Sequence, residues 1–532
     1  MERKRIAIVG SGISGLSTLW TLRNSGHDVT LFEKADRLGG HTNTVTWTHN
    51  GESTPVDTGF IVLNTATYPN FIAFLKALNV KTMASEMTFG VSRDQGAFEW
   101  SGTSLGALFA QSSNLYKPSF WRMIFDIVRF NQFALDLLSS QVSPTLTIGE
   151  YLIDNGYSDA FRDDYLIPMT ACVWSTGPDK CALEFPALTL VRFMWNHHLL
   201  STVSERPPWL TIEGGAKRYI DAVIKECANA KVQLSTSVQS LTRKDGKVEL
   251  TLGGKGNTEV EVFDEVILAC HGDQARGIIG TAATFEEKDI LAAFETSPNM
   301  AYLHSDLSLM PSRRTAWAAW NYITTSQSPA KLSNSASGAL QTVCLTYNMN
   351  ILQKLPTSTF SDVLVTLNPE VPPSPDLTQA TFEYRHPLYN PRMIAAQEEL
   401  EKIQGKRGVW YAGAWTGYGF HEDGFASGMR VALRLGGDVP WAAKNAKFSR
   451  GTAPVLGWKD ILARVVIQYV QLWVGILEWS VGTRRGKDQD ANEGTFQVKG
   501  AAVGKRNVDV PRHVDVPKTG AVMNGKLRAK AA

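Results

Sequence analysis

The stretch that decides the fold of this 532-residue chain runs from Arg5 to Glu33 and reads RIAIVGSGISGLSTLWTLRNSGHDVTLFE. Its first five residues, Arg5–Val9, form an apolar run that predicts a buried strand. Residues 10–23 have helical spacing, and Gly26 follows as a stop signal. Residues 28–33 predict a second strand. Together these elements predict a β-α-β unit of about thirty residues, the building block of a parallel α/β sheet.

Glycines recur between the first strand and the helix as Gly10-x-Gly12-x-x-Gly15. The first glycine permits a tight turn, the second lets the backbone approach a pyrophosphate, and the third lets the helix pack closely on the strand. The pyrophosphate would rest on the helix N-terminus, where free N–H groups and the dipole favour an anion. Glu33 would bind the adenosine ribose and disfavour a 2′-phosphate. The pattern predicts a dinucleotide site, but alone it does not separate NAD from FAD.

Two further motifs resemble those of the flavin-containing amine oxidase superfamily. The first is Arg37-Leu-Gly39-Gly40-His41, which resembles the stretch that lines the pyrophosphate and ribityl chain of FAD. The second runs from Tyr411 to Gly428 and resembles the motif whose helix N-terminus faces the flavin N1–O2 edge. No Cys or His lies in a recognisable covalent-flavin motif, so noncovalent FAD is expected. The expected cofactor contacts are Gly10, Gly12, Ile13, Ser14, Gly15, Glu33, Lys34, Arg37, Gly39, Gly40, His41, Val238, Gly413, Asp423, Gly424 and Phe425.

Four segments narrow the resemblance to a group of predicted FAD-binding, amine-oxidase-like proteins, which in bacteria is associated with cyclopropane fatty acid synthase-like enzymes. They are GGHTNTV at 39–45, VDTGFIVLN at 56–64, GG at 214–215 and GYGFHEDGFASG at 417–428. The resemblance covers about residues 4–438. It implies the amine-oxidase fold, FAD and a lipid-like substrate, and it does not fix a reaction.

Three positions depart from the amine oxidase pattern. His41 stands where those enzymes usually have Arg, and Trp415 stands near the place of the acid that binds the ribityl chain. The segment 315–322, where a lysine near flavin N5 would be sought, contains no lysine. These departures argue against plain amine oxidation.

Histidines are the main candidates for catalytic groups. His421 would act as an acid–base group or would orient its turn, since histidine titrates near neutral pH. His41 would face the flavin or support groups that do. Asp423 is expected to cap the helix that follows it. His197 and His198 are adjacent, so on a helix they would not share a metal, and His271 is interpreted as a loop residue.

The recurrence of parallel-strand patterns at the start, middle and end of the chain predicts two interleaved domains in an α/β fold. A doubly wound FAD-binding domain would be interrupted by a mixed α+β substrate domain, with a C-terminal helix and a disordered tail. The expected FAD-binding parts are 1–66, 209–300 and 401–440; the substrate parts are 67–208, which is helical, and 301–400; an amphipathic helix covers 441–482 and a basic tail covers 483–532.

Composition limits the partners. The net charge of +2 indicates no strong electrostatic partner for the whole chain, and no structured basic face suggests nucleic acid. Five scattered cysteines favour a reducing compartment. The first strand begins almost at Met1, so no targeting peptide is expected and a cytoplasmic location is predicted. Residues 461–481 are apolar, yet Arg464 and Glu478 leave 13 uncharged residues between them, short of the ~20 that a span needs. That segment is expected to lie on a membrane surface or to pack on the protein itself.

The function expected from these patterns is two-electron oxidation of a hydrophobic, lipid-like or secondary-metabolite substrate by FAD, with dioxygen as a candidate final acceptor. The alternatives are a fatty-acyl double-bond isomerase, a catalytically silent FAD-binding partner of a lipid-modifying enzyme, and an amine oxidase. The sequence leaves these alternatives open.

Overall fold

A five-stranded parallel sheet is the centre of the molecule in the computed structural model, which describes residues 2–139, 143, 145–174, 183–200, 207–253, 258–325, 344–445, 450–451 and 454–489. The first strand pairs on one side with the next strand along the chain and on the other side with a strand more than 250 residues away, as the interleaved pattern predicts. In spatial order they are Lys231–Gln233, Asp28–Phe32, Arg5–Val9, Glu265–Leu268 and Val409–Tyr411.

Two helices pack closely against each other on this sheet, Ile13–Thr21 and His421–Arg434. Every residue of the first helix is buried. A Cβ added at Gly428 of the second helix would lie 2.1 Å from the Ser14 carbonyl oxygen. The glycine therefore permits a close approach of the two backbones, which brings the C-terminal glycine motif beside the N-terminal one.

Further elements surround the sheet. An antiparallel three-stranded sheet is built from Ser237–Lys244, Lys247–Gly253 and Thr258–Phe263, and a hairpin from Thr44–His49 and Glu52–Asp57. A small sheet joins Leu63–Asn64, Trp209–Ile212 and Thr82–Ser85. Four further helices are Lys217–Glu226, Gly272–Ile279, Phe285–Leu291 and Pro391–Glu399.

A seven-stranded sheet forms the second layer of structure. Its strands in spatial order are Thr378–Pro387, Thr296–His304, Leu364–Leu367, Cys344–Asn348, Trp320–Thr324, Phe89–Arg93 and Phe98–Ser101. Helices of the predicted helical segment are Pro69–Ala77, Leu105–Leu108, Pro118–Phe133, Ile148–Asp154, Asp159–Phe161, Ile167–Trp174 and Ala187–Asn196. Short helices Met349–Leu352 and Thr357–Phe360 follow within the sheet region.

The fold class is as predicted, and residues 1–467 form one compact unit. The finer domain boundaries stay predictions. The start of the C-terminal helix is wrong, because the helix begins at Trp458 and not at 441. Pro454 and Gly457 precede that helix and disfavour helical backbone, and the Gly457 amide donates to the Asp460 carboxylate at 2.8 Å. The helix continues to Gln489, so 483–489 are not a disordered tail; residues 490–532 lie outside the described residues.

Candidate cofactor and active site

The three glycine motifs meet at the carboxyl ends of the parallel strands. A Cβ added at Gly40 would lie 3.2 Å from the Cα atom of Gly12, so the first two loops touch. A Cβ added at Gly15 would lie 1.9 Å from the Gly10 carbonyl oxygen, which shows how closely helix and strand pack. A Cβ at Gly12, in contrast, meets nothing within 4 Å. The loop therefore leaves open space where the motif predicts a pyrophosphate.

Glu33 is held in place at the end of its strand. Its carboxylate accepts hydrogen bonds from the Ser11 amide at 2.8 Å, the Ser11 hydroxyl at 2.6 Å and the Ala35 amide at 2.9 Å. The Gly39 amide donates to the Ser11 carbonyl at 3.1 Å, which ties the second glycine loop to the first. The acidic group and both loops thus share one edge of the sheet, the usual position of a dinucleotide in this fold.

Arg37 stabilises its own loop. Its guanidinium donates to the carbonyl oxygens of Gly40 at 2.9 Å and Thr42 at 3.3 Å. Lys34 is exposed beside Glu33, and Val238 is buried at the start of an antiparallel strand. The cofactor contacts predicted for these residues stay predictions.

The C-terminal motif is built by Trp415 and Asp423. The Trp415 indole donates to the Cys270 carbonyl at 2.9 Å and packs against Phe294, so it joins two strand ends. The helix begins at His421, so Asp423 does not precede it as predicted. Its carboxylate caps the helix from within the first turn, where it accepts from the Phe420 amide at 3.0 Å. Gly424 and Phe425 are buried against the first helix and the aromatic core, respectively.

Three histidines from distant parts of the chain meet beside these loops. The ring of His41 lies 5.6 Å from that of His271 and 5.3 Å from that of His386, and it stacks on Tyr384 at 5.2 Å between centroids. His271 precedes the helix Gly272–Ile279 as its cap residue, so the loop interpretation gave its position but not its neighbours. We call His41, His271 and His386 the histidine cluster.

Tyr384 fixes the strand that carries His386 to the second glycine loop. Its hydroxyl hydrogen-bonds the Asn43 amide group at 3.0 Å and the Thr58 hydroxyl at 2.7 Å. The edge strand Thr378–Pro387 of the seven-stranded sheet therefore faces the carboxyl edge of the parallel sheet. The histidine cluster lies where these two layers meet, which is where ligands bind in two-layer folds of this kind.

Burial and mutual repulsion keep the histidine cluster uncharged near neutral pH. Burial lowers the pKa of His386 to about 4, with a further contribution from His271. Burial also lowers the pKa of His41 well below its usual value, and positive charge on His386 or His271 would lower it further. The pKa of His271 is lowered by burial and partly restored by Asp273.

A chain of amides sets the proton position on His386. The Met300 backbone amide donates to the side-chain oxygen Oδ1 of Asn368 at 2.9 Å. The side-chain nitrogen Nδ2 of Asn368 then donates to Oδ1 of Asn299 at 2.6 Å. The Asn299 nitrogen then donates to the Ser297 carbonyl at 3.1 Å and to Nδ1 of His386 at 2.8 Å. Because Nδ1 accepts a hydrogen bond, the proton of the neutral ring lies on Nε2.

In contrast to His386, whose Nε2 carries a proton, His41 offers a buried Nε2 atom with no hydrogen-bond partner among the described residues. A backbone hydrogen bond with Arg385 engages the ring and favours its protonated form slightly. Since a buried polar atom is normally paired, the free nitrogen indicates a position for a ligand. The open space at Gly12 and this nitrogen both fit a bound flavin nucleotide and its substrate.

His421 lies apart from the histidine cluster, in an aromatic group. Its ring stacks on Phe60 at 3.7 Å between centroids, and its Nε2 lies 3.0 Å from the Tyr219 hydroxyl. Burial lowers its pKa to about 3. Tyr219 in turn lies 2.5 Å from the Thr42 hydroxyl, so His421 supports the loop that carries His41. This geometry favours the turn-orienting role, and the acid–base role stays a prediction.

Neighbouring polar groups serve the fold. Glu422 accepts hydrogen bonds from the amides of Asn70 and Phe71 and caps the helix Pro69–Ala77. His197 is buried with Nδ1 2.9 Å from the Phe193 carbonyl, and His198 takes a left-handed φ of 58° at the helix end. The sequence analysis missed His386, because no local motif marks it.

The fold and these loops define a two-layer protein with a dinucleotide-binding domain. Residues 8–78 match the NAD(P)-binding Rossmann-like domain family. A 15-cis-phytoene desaturase from Narcissus pseudonarcissus is 24% identical over 276 residues, covering 47% of this chain and 45% of the desaturase. The chain spans less than half the length of such curated relatives.

Solved structures extend the similarity to the whole fold. A CLA-producing fatty acid isomerase from P. acnes has a TM-score of 0.54 and 15% identity, covering 81% of this chain and 98% of that one. Cyclohexylamine oxidase from Brevibacterium oxydans has a TM-score of 0.54 and 13% identity, covering 82% and 99%. The chain therefore has the same fold as these solved structures.

Proposed function

We propose that the protein is an FAD-dependent oxidoreductase that holds FAD noncovalently and oxidises a hydrophobic substrate. The observation that carries the proposal is the position of an uncharged histidine cluster beside the glycine loops, with the free Nε2 of His41 in it. When bound, FAD would supply a two-electron acceptor for a hydride. Dioxygen is the proposed final acceptor.

The glycine loops would hold the nucleotide. The N-terminus of the helix Ile13–Thr21 has no side-chain cap and no acid in its first turn, so its amides would serve the pyrophosphate. Glu33 would bind the ribose, and the loop Gly39–Gly40 would lie against the nucleotide because it already contacts Gly12.

The histidine cluster would handle protons. Oxidation of a carbon–carbon bond to an alkene removes one hydride and one proton, so the proton needs an acceptor. His41 would accept it at Nε2, while the Nε2–H of His386 would donate a hydrogen bond to a neighbouring polar atom of the ligand. Uncharged rings suit an apolar substrate, because no buried charge has to be desolvated when the substrate binds.

Double-bond isomerisation is a second candidate. A free acceptor and a fixed donor in one cluster would also serve a reaction in which the hydride returns to the substrate with no net oxidation. The solved isomerase of similar fold makes this chemistry worth testing. Consumption of oxidant with turnover separates the two reactions: oxidation consumes one equivalent and isomerisation consumes none.

The test is anaerobic bleaching of the flavin absorbance by a panel of fatty acids, isoprenoid lipids and amines. Bleaching by lipids and not by amines would support the proposal, and so would a large loss of rate in His41→Ala with its flavin spectrum retained. The matched control is His49→Ala in the hairpin strand Thr44–His49. Bleaching by amines alone would favour an amine oxidase. Full FAD loading with neither a reducing substrate nor an isomerised product would favour a silent partner.

A further inference from the structure

The C-terminal helix Trp458–Gln489 presents apolar side chains to the outside. Six of these side chains are between 45% and 62% exposed: Leu462, Val466, Tyr469, Trp473, Ile476 and Leu477. The first five are alternately four and three residues apart, and Leu477 is next to the fifth. At 3.6 residues per turn they fall on one side of the helix. We call this side the apolar face. Flanking residues such as Val465 and Val470 widen it to roughly half of the circumference.

The opposite side of the helix is polar. Arg464, Gln468, Gln471 and Glu478 lie there by the same periodicity. Arg464 donates to the Asp136 carboxylate at 2.8 Å, and Ile467, one turn further on, is 7% exposed. An amphipathic helix of a globular protein normally turns its apolar side to the core. In the turn around Arg464 it is the charged side that contacts the protein, whereas the side chains of the apolar face are exposed.

The width and the length of the apolar face distinguish three possible partners: a bilayer that the helix crosses, a second copy of the helix, and a lipid surface. Trp458–Ser480 is long and apolar enough to cross a membrane by length and composition alone. A helix that crosses a bilayer, however, is apolar all round, whereas the side with Arg464, Gln471 and Glu478 is not. A second copy of the helix would need only the narrow stripe of a coiled coil. An apolar arc of half the circumference fits the plane of a lipid surface.

Charge favours an anionic surface. Lys459 lies in the first turn of the helix, and Arg484, Arg485 and Lys487 follow the apolar segment. Residues 483–532 contain 11 Lys or Arg against 5 Asp or Glu. Basic residues beside an amphipathic helix are attracted to anionic headgroups. Trp473 and Trp479 add the aromatic type that is enriched at membrane interfaces.

We propose that this helix binds in the plane of an anionic lipid surface through its apolar face. The polar side of the helix, which includes Arg464, would stay in the aqueous phase. This inference does not depend on the bound cofactor or on the reaction, and it concerns peripheral attachment and not a membrane span.

The test is flotation of the full-length protein with vesicles of phosphatidylcholine and phosphatidylglycerol, and with vesicles of phosphatidylcholine alone. The variant Leu462→Glu/Ile476→Glu places two acids on the apolar face. The matched control, Gln468→Glu/Gln471→Glu, adds the same charge to the polar side of the same helix. Circular dichroism and the flavin content of each variant report on folding separately from vesicle binding.

The wild-type protein should float with the anionic vesicles and bind less to the neutral ones. The apolar-face variant should lose about tenfold or more in binding, and the control should stay within about twofold of the wild type. Equal loss in both variants, or no flotation of the wild type, would overturn the proposal. Resistance of the bound protein to alkaline carbonate would indicate a span, and a dimer abolished only by the apolar-face variant would indicate a second copy; either result also overturns it.

Discussion

Replacement of Gly12 by valine separates cofactor binding from folding in this protein. Gly12 has a φ of −62° and a ψ of 177°, which a β-branched residue adopts without strain. An added Cβ meets no atom within 4 Å, so the substitution should change the free energy of unfolding by about 0.5 kcal/mol or less. The new side chain would occupy the space that the motif assigns to the pyrophosphate.

The loss of FAD affinity should be large. Displacing the pyrophosphate from the helix N-terminus breaks at least two hydrogen bonds to a charged group, each worth about 1.5–3 kcal/mol. A loss of about 3 kcal/mol or more corresponds to at least about a hundredfold rise in Kd. Fluorescence titration of the apoprotein with FAD measures the affinity, and thermal unfolding without FAD measures the fold.

A matched control is Gly102→Val, because an added Cβ at that exposed turn also meets nothing within 4 Å. It should keep both FAD and stability. Gly15→Ala, unlike Gly12→Val, should destabilise the fold. A Cβ at this position would lie 1.9 Å from the Gly10 carbonyl oxygen and force helix and strand apart, which should lower the free energy of unfolding by about 3 kcal/mol or more. A folded Gly12→Val protein with unchanged FAD affinity would refute this assignment of the loop.

Two other perturbations test the groups around the site. Glu422→Ala leaves the buried amides of Asn70 and Phe71 without acceptors. It should therefore lower the free energy of unfolding, measured by urea denaturation, by about 2–4 kcal/mol. A change below about 0.5 kcal/mol would contradict the capping role. His421 has a pKa of about 3, below its unfolded value of 6.5, so the unfolded chain binds the proton first and stability falls as the pH drops below 6.5. His421 should thus contribute a loss of about 2 kcal/mol by about pH 5, which His421→Phe should remove from the pH dependence of the urea midpoint.

Local motifs made part of this structure predictable. The strand Arg5–Val9, the glycine turn and Glu33 lie within thirty residues, so their spacing alone predicted the β-α-β unit. The recurrence of buried strands predicted that distant segments would join one sheet. Each of these patterns lies within a short run of consecutive residues, so it can be recognised from the sequence alone.

The histidine cluster was not predictable in the same way. His41 and His386 are brought together because the edge strand Thr378–Pro387 faces the second glycine loop, and Tyr384 fixes that position. This juxtaposition depends on the register of a seven-stranded sheet, which no single motif encodes. The C-terminal helix begins later than predicted for a local reason, because Pro454 and Gly457 disfavour helical backbone before Trp458.

Identification of the nucleotide released when the purified protein is denatured tests directly whether the protein holds FAD noncovalently. We expect FAD to leave the polypeptide freely, in an amount that approaches one molecule per chain. Release of NAD, retention of flavin on the denatured chain, or a colourless protein that fails to take up added FAD would contradict it.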